Sequence, residues 1–274
     1  MNSPILPDAA GSRRAETPSL GAQPESENHR SAGASVADLC WPEIEQCIQR
    51  GAVAVLPAGA AAKEHGRHLP MATDYRQAEW LAARLIETHQ VLIWPTISYG
   101  YYPAFTDFPG SCSLSEATFS KLLTDVIDDI IAAGTGKLLI LNTGISTIPA
   151  LERCAVAAGT KVPVRVANVY RGARYLEVEQ AVSEQQRGGH ADEAETSIML
   201  AISPDDVALD KARRWTPATM GAGKLVRGAP AHPNYAPDGV FGDPTLATRE
   251  KGEQLLAAML ADLHALLAEL NQTT

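Results

Sequence analysis

The sequence has little of several features that mark particular classes of protein. Its net charge is −9 over 274 residues and no lysine or arginine cluster stands out, which argues against a nucleic-acid backbone as partner. Aromatic residues make up only 5% of the chain, so neither a base-stacking platform nor an aromatic cage is indicated. No apolar run approaches the roughly 18–20 residues of a membrane helix. Arg13 and Arg14 are not followed by the apolar segment of a secretion signal, and we therefore expect a cytoplasmic protein.

Motifs of several common catalytic classes are also missing. The four cysteines have no spacing typical of a zinc or redox site, and free thiols are the simplest interpretation. No serine lies in the Gly-x-Ser-x-Gly turn of the α/β-hydrolases. The Gly-Thr-Gly-Lys segment at 134–137 precedes a predicted strand rather than a helix, which indicates a turn and not a phosphate-binding loop.

Histidine and acidic residues are concentrated after a short apolar run. Ala52–Leu56 reads as a buried strand that ends in a Pro/Gly turn. It is followed by four potential metal ligands within eleven residues: Glu64, His65, His68 and Asp74. Two imidazoles and two carboxylates suit Zn²⁺, Mn²⁺ or Fe²⁺. The alternative is a polar surface loop, but only seven histidines occur in the chain and two of them lie within these four positions, which favours a functional site.

A second ligand-rich segment occurs near the middle of the chain. Gly188 and Gly189 are followed by one histidine and three carboxylates: His190, Asp192, Glu193 and Glu195. If a helix begins near Asp192, these carboxylates lie in its first turn and complement the positive end of its dipole, which is a purely structural interpretation. Because His190 lies beside them, a metal or acid–base role is favoured.

The pattern of the remaining chain predicts its organisation. Residues 1–35 are rich in Ser, Pro, Ala, Gly and Glu and predict a disordered tail, and residues 36–274 predict one α/β domain. Nearly continuous apolar strands alternate with helices, which indicates a parallel sheet covered on both faces. The predicted strands are Ala52–Leu56, Val91–Ile97, Lys137–Leu141 and Val162–Val169. The predicted helices are Val36–Arg50, Tyr75–Thr88, 115–133, Pro149–Ala158, one from about Asp192 and Thr248–Asn271, the last with a cap at Gly242–Thr245.

Ligands of such sheets bind beyond the carboxyl ends of the strands. Both the Glu64–Asp74 loop and the Asn142–Thr147 segment follow predicted strands. The two segments are therefore expected at the same edge of the sheet.

Four segments together resemble the creatininase family of metal-dependent amidohydrolases. In chain order they are His65–Asp74, Tyr99-Gly100 with Phe108–Gly110, Gly188–Ser197 and Gly239–Gly252, and the resemblance spans roughly residues 50–270. It implies a three-layer α/β/α sandwich on a mostly parallel sheet, often assembled as a homohexamer, that hydrolyses C–N bonds in cyclic amides, formamides or small peptides. It also places His65 and Asp74 on metal-ligand positions, with Asp74 as the bridging carboxylate where two ions are bound.

The chain departs from the family pattern at three places. Lys63 stands where the family usually has a glutamate, and Gly144 stands where a metal-binding histidine is expected. Ala104-Phe105 stands where many relatives carry a histidine. These departures predict a single ion, or a site rebuilt with other donors: His68, His190, Asp192 or Glu193.

Two functions are therefore considered. The first is a metal-dependent hydrolase of a small-molecule amide, with one or two ions of Zn, Mn or Fe and no nucleic-acid or membrane partner. Its predicted ligands are Glu64, His65, Asp74 and Glu195, its predicted catalytic residues are His190 and Glu193, and its predicted supporting or alternative ligands are His68 and Asp192. The second is a family member that has lost catalysis and serves as a binding or assembly subunit.

Overall fold

The protein is described by a computed structural model for residues 32–216 and 223–273. Its strands are β1 (Ala34–Ser35), β2 (Val53–Ala58), β3 (Val91–Ile93), β4 (Leu138–Asn142) and β5 (Val164–Asn168). Its α-helices are α1 (Trp41–Gln49), α2 (Thr73–Thr88), α3 (Glu116–Ala132), α4 (Ile148–Ala158), α5 (Ala173–Val182), α6 (Glu193–Ile202) and α7 (Arg249–Gln272).

The five strands form one sheet in the order β1-β3-β2-β4-β5, and every neighbouring pair is parallel. Alternate residues of a strand point to opposite faces, so the two central strands supply both cores. Val53, Val55, Leu139 and Leu141 pack with α2, α5, α6 and α7. The alternate residues of the same strands, among them Leu56 and Ile140, pack with α3 and α4. This arrangement confirms the predicted three-layer α/β sandwich.

The burial of large aliphatic side chains on both faces stabilises these layers, at about 1.5–3 kcal/mol for each one fully buried. On one side, α3 contributes Phe119, Leu123 and Ile127. On the other, α7 contributes Leu255, Leu263 and others spaced at helical intervals. Within the described ranges, no helix is both long and apolar enough to cross a membrane.

The predicted tail and the first predicted helix differ from the structure. Residues 1–31 of the tail lie outside the described residues, but Ala34 and Ser35 form β1 and pair with β3. Ser35 caps only a short 3₁₀ turn, and α1 begins after Cys40. Pro42 lies in the first turn of α1, where its missing N–H is tolerated, whereas inside a longer helix it would break the backbone ladder.

Two further boundaries and one helix also differ. β3 ends at Ile93, ahead of Pro95, because proline cannot donate to a strand ladder, and Ile97 forms only an isolated bridge with Ala58. The cap of α7 is Thr248, whose hydroxyl accepts from the Lys251 N–H at 3.2 Å, rather than the predicted Gly242–Thr245 segment. Helix α5 was not predicted.

Candidate active site

The loops after β2 and β4 meet at the carboxyl edge of the sheet, as predicted. The two strands are neighbours, and Pro57 and Ala58 pair with Leu141 and Asn142. The hydroxyl of Thr143, just beyond β4, donates to the carbonyl oxygen of Asp74 at 2.8 Å. This bond joins the start of α2 to the end of β4 and holds the backbone at Asp74.

His65 is fully buried and is held through both ring nitrogens. Its Nδ1 lies 2.9 Å from the carbonyl oxygen of Lys63, which can only accept, so Nδ1 carries the proton of that bond. Its Nε2 lies 2.9 Å from Oδ1 of Asp74. The backbone of the loop therefore sets the ring orientation, and Nε2 points to the acidic side of the site.

Lys63, which replaces the family glutamate, is also buried inside this group. Its Nζ lies 2.7 Å from Oδ2 of Asp74 and 5.0 Å from the centre of the Phe105 ring. Burial would lower the pKa of Lys63, but the carboxylates of Asp74, Glu195 and Glu64 outweigh burial and raise it. Burial would likewise raise the pKa of Asp74, but the Lys63 ammonium and His65 hold it well below its usual range.

The second predicted segment is positioned by the start of α6. Asp192 caps this helix, and its Oδ1 accepts from the backbone N–H groups of Ala194 and Glu195 at 3.0 and 3.1 Å. His190 exchanges two backbone hydrogen bonds with Phe241, at 3.2 and 2.9 Å. Between them, Ala191 has a φ of +47°, which is uncommon for a residue with a side chain. Its N–H donates to Oε2 of Glu195 at 2.5 Å, and this tight turn brings His190 and Glu195 together.

The two segments meet through His190. Its Nε2 lies 3.2 Å from Oε2 of Glu64, and its Nδ1 lies 3.8 Å from Oε2 of Glu195. Burial would lower the pKa of His190, but the Glu64 carboxylate outweighs burial and raises it. Burial would raise the pKa of Glu64, and His190 lowers it instead.

One set of potential metal ligands results within the described residues. His65, His190 and Glu195 each offer one ligand atom, and these three atoms lie within 4.8 Å of one another. Two imidazoles and one carboxylate suit a catalytic zinc-type ion, which typically has three protein ligands. The donor set therefore fits one divalent ion. Asp74 adds Oδ1 beside His65 Nε2.

His68 is buried beside this group but faces another partner. Its Nε2 lies 2.9 Å from the hydroxyl of Thr196 on α6, and its Nδ1 has no hydrogen-bond partner among residues 32–216 and 223–273. Burial lowers the pKa of His68 to about 4, so the ring is neutral near pH 7. His68 thus lies between the first loop and α6, and its supporting role stays a prediction.

The structure does not bring Glu193 or Asp192 to the ligand atoms. The Glu193 carboxylate accepts from the backbone N–H of Gln185 at 2.8 Å and from the hydroxyl of Ser183 at 3.1 Å, and it pairs with Lys251. The second oxygen of Asp192 accepts from the amide of Gln185 at 2.8 Å. Both carboxylates thus hold the start of α6, and the prediction of Glu193 as a catalytic residue is corrected on these contacts.

The expected histidine position at Gly144 is closed by its neighbours. A Cβ atom at Gly144 would lie 2.9 Å from the hydroxyl oxygen of Thr147. That hydroxyl donates to Asn142 at 2.8 Å. A large side chain at position 144 would therefore require this turn to open.

Three other residues shape the site. Gly239, with a φ of +79°, passes so close to Glu64 that a Cβ atom there would collide with the carboxylate. The ring of Phe105 lies 4.4 Å from that of His190, between centroids. Thr196 holds His68. Gly239 and Thr196 stood within segments of the family resemblance, but only the fold shows what they contact.

A small pocket adjoins the cluster at the sheet edge. Its lining includes Lys63, Asp74, Tyr99, Tyr102 and Ser146, and Tyr99 is half exposed, so the pocket reaches the surface. Tyr102 is buried and donates to the carbonyl of Ala62 at 3.1 Å.

The fold and this site define the class of protein: a parallel three-layer α/β protein with a buried histidine–carboxylate group at the carboxyl edge of its sheet. The chain belongs to the creatininase family, since the family model described as creatinine amidohydrolase matches residues 37–267. It is 29% identical over 242 residues to a creatinine amidohydrolase of Pseudomonas putida, covering 81% of this chain and 91% of that protein. It is 30% identical over 220 residues to a mycofactocin precursor peptide peptidase of Mycobacterium tuberculosis, covering 76% and 81%.

Solved structures agree with the family assignment. A crystal structure of a creatinine amidohydrolase superposes with a TM-score of 0.75 at 25% identity and covers 88% of this chain and 99% of that one. A Zn–Zn form of a creatininase mutant and a Mn form of creatininase give TM-scores of 0.75 and 0.74, each at 25% identity, covering 86% of this chain and 98% of theirs. The homologues named here are hydrolases.

Proposed function

We propose that this protein is a metal-dependent hydrolase that cleaves a C–N bond, of an amide, cyclic amide or formamide, in a small molecule. One observation carries the proposal: each histidine of the ligand group has one ring nitrogen bonded to an acceptor of the first loop. Nδ1 of His65 faces the Lys63 carbonyl, and Nε2 of His190 faces the Glu64 carboxylate. Ligating histidines commonly have such partners, which fix the ring so that its other nitrogen faces the remaining donors, here Asp74 for His65 and Glu195 for His190.

The residues suited to hold the ion are His65, through Nε2, His190, through Nδ1, and Glu195. When bound, a divalent ion supplies Lewis acidity, which polarises a carbonyl group and makes water acidic enough to react near neutral pH. The Zn–Zn and Mn forms of related structures support zinc or manganese in this role.

The proton transfer is assigned to Glu64. Its Oε1 accepts from the N–H of Gly66, and its Oε2 faces His190. This position beside His190 allows the Glu64 carboxylate to accept a proton from water and return it to a leaving nitrogen. Burial of the whole group excludes bulk water, which strengthens each of these interactions.

The substrate is proposed to enter through the pocket rimmed by Tyr99. Arg171 and Arg174 line a different groove, where Arg174 pairs with Asp262 at 3.2 Å. The related amidohydrolase and peptidase support an amide substrate. The family resemblance further supports a homo-oligomer.

The metal content of the purified protein tests this function. We expect about one ion of Zn²⁺ or Mn²⁺ per chain, measured by inductively coupled plasma mass spectrometry after dialysis. The substitution His65→Ala is expected to abolish both metal binding and hydrolysis. The matched control is Arg67→Ala, because the Arg67 side chain is 70% exposed and pairs with Asp238 away from the ligand atoms.

Two results would contradict the proposal. Full metal occupancy in the His65→Ala variant would refute the ligand assignment. A wild-type protein that holds its metal but hydrolyses no member of a panel of cyclic amides, formamides and short peptides would instead favour the binding or assembly subunit.

A further inference from the structure

We propose that the Lys63 ammonium occupies the place of a second cation, so that this site holds no more than one divalent ion. This inference rests on the proposed metal-dependent function and states the number of ions that the chain can bind. It concerns Lys63, which stands where the family resemblance predicts a glutamate.

The first support is the way in which the two oxygens of Asp74 are used. Oδ1 lies 2.9 Å from Nε2 of His65, inside the ligand group. Oδ2 lies 2.7 Å from Nζ of Lys63. A carboxylate that bridges two ions offers one oxygen to each, and here the second oxygen already has a positive partner. The ammonium therefore stands where a bridged second ion would bind.

The second support is that Lys63 is held in place. Only 6% of its side chain is exposed, and the ring of Phe105 lies 5.0 Å from Nζ, within the range of a cation–π contact. Asp74 is equally buried, so neither partner can exchange the other for water. A divalent ion beside Nζ would meet a fixed positive charge at short range in a poorly solvated region.

The third support concerns the donors on the pocket side of Lys63. Among the residues of the described chain that line the adjoining pocket, Asp74 alone is a histidine, cysteine or acidic residue. Gly144 supplies no side chain, and Thr147 occupies the space that a side chain there would need. Thus both the charge and the donor set oppose a second ion.

The number of Zn²⁺ ions per chain is measured by isothermal titration calorimetry, and by mass spectrometry after gel filtration. We expect one ion in the wild type and one additional ion in Lys63→Glu, because that change removes the ammonium and adds a carboxylate beside Asp74. The matched control is Lys161→Glu, since Lys161 forms an ion pair with Asp128 of the same 2.7 Å length at the surface. The control is expected to bind as many ions as the wild type.

Two ions in the wild type, or no additional ion in folded Lys63→Glu, would overturn the inference. If Lys63→Glu does not fold, Lys63→Gln removes the charge alone. Saturating Zn²⁺ is then expected to raise the melting temperature of Lys63→Gln more than that of the wild type, and an equal or smaller rise would overturn the inference.

The metal content of the wild type tests the proposed function separately from this inference. A wild type that binds no ion refutes that function, whatever the substitutions show. A Lys63→Glu variant that then gains one ion would still support exclusion of a cation by Lys63.

Discussion

Two lysine–carboxylate pairs with little solvent exposure differ in their surroundings. Lys251 on α7 pairs with Glu193, and it also donates to the carbonyl of Leu246 at 2.9 Å and to Glu184 at 2.6 Å. Lys63 pairs with Asp74 among imidazoles and carboxylates that form the ligand group.

The difference lies in what else the carboxylate contacts. Glu193 accepts from Ser183 and from the backbone of Glu184 and Gln185, so the chain's own donors satisfy it. Asp74 faces one side chain that can bind a metal and one that repels it. The same kind of ion pair therefore joins α6 to α7 in one region and lies inside the candidate site in the other.

The largest expected difference between the regions is in metal affinity. We expect Glu195→Gln to weaken Zn²⁺ binding by more than about 100-fold, because the ligand itself is lost and even supporting partners typically account for 10- to 100-fold. Glu193→Gln, two residues away, is expected to change that affinity less than about 3-fold, since Glu193 only supports α6. Competition with a chromophoric chelator measures both. Equal losses in the two variants would contradict the separation of the two regions.

The next largest effect is on the free energy of unfolding, through the ion pair between Lys251 and Glu193. Lys251→Met leaves the Glu193 carboxylate buried without its cation, and we expect a loss of about 3 kcal/mol, at the low end for breaking a buried pair because Lys251 is 13% exposed. Urea denaturation measures the free energy of unfolding, and Zn²⁺ affinity should be unchanged. The conservative control Lys251→Arg keeps the charge and should lose less. A stable Lys251→Met variant would show that this pair does not support the fold.

The smallest effect concerns the contact between His68 and Thr196. Thr196→Val removes the hydroxyl that bonds Nε2 of His68, and we expect a loss of about 1 kcal/mol, typical of one buried hydrogen bond. Thr196→Ser retains the hydroxyl and is the control. Urea denaturation measures the free energy of unfolding of both variants under the same conditions. If the valine variant instead releases the metal, His68 belongs to the ligand group and its assignment is wrong.

Much of the fold followed from the periodicity and composition of the chain. The central strands β2 and β4 are buried at every position and are apolar apart from Asn142 at the end of β4. Ser115 caps α3 as predicted, because buried strands and capped helices depend on local sequence. The end of β3 and the start of α1 were placed wrongly because prolines in both segments interrupt patterns that otherwise look continuous. Helix α5 buries little beyond Tyr175 and carries a weak signal.

The candidate site was only partly predictable for a geometric reason. Glu193 and Glu195 are both acidic residues in the first turn of α6, so composition does not distinguish them. Two residues along a helix with 3.6 residues per turn differ by about 200° in direction, so both cannot face the same site. Which of the two turns to His190 depends on how α6 packs against α7 and the first loop.

The sequence by itself determined the alternation of strands and helices, the two ligand-rich segments and the family, because each is written in local residue order. Only the tertiary structure decided which side chains converge. In the folded protein His190 lies beside His65 and Glu195, Glu193 pairs with Lys251, and Lys63 is buried against Asp74. The reason is physical: a buried charge must find its partner among residues far away in the chain, and that partner is known only once the layers are packed.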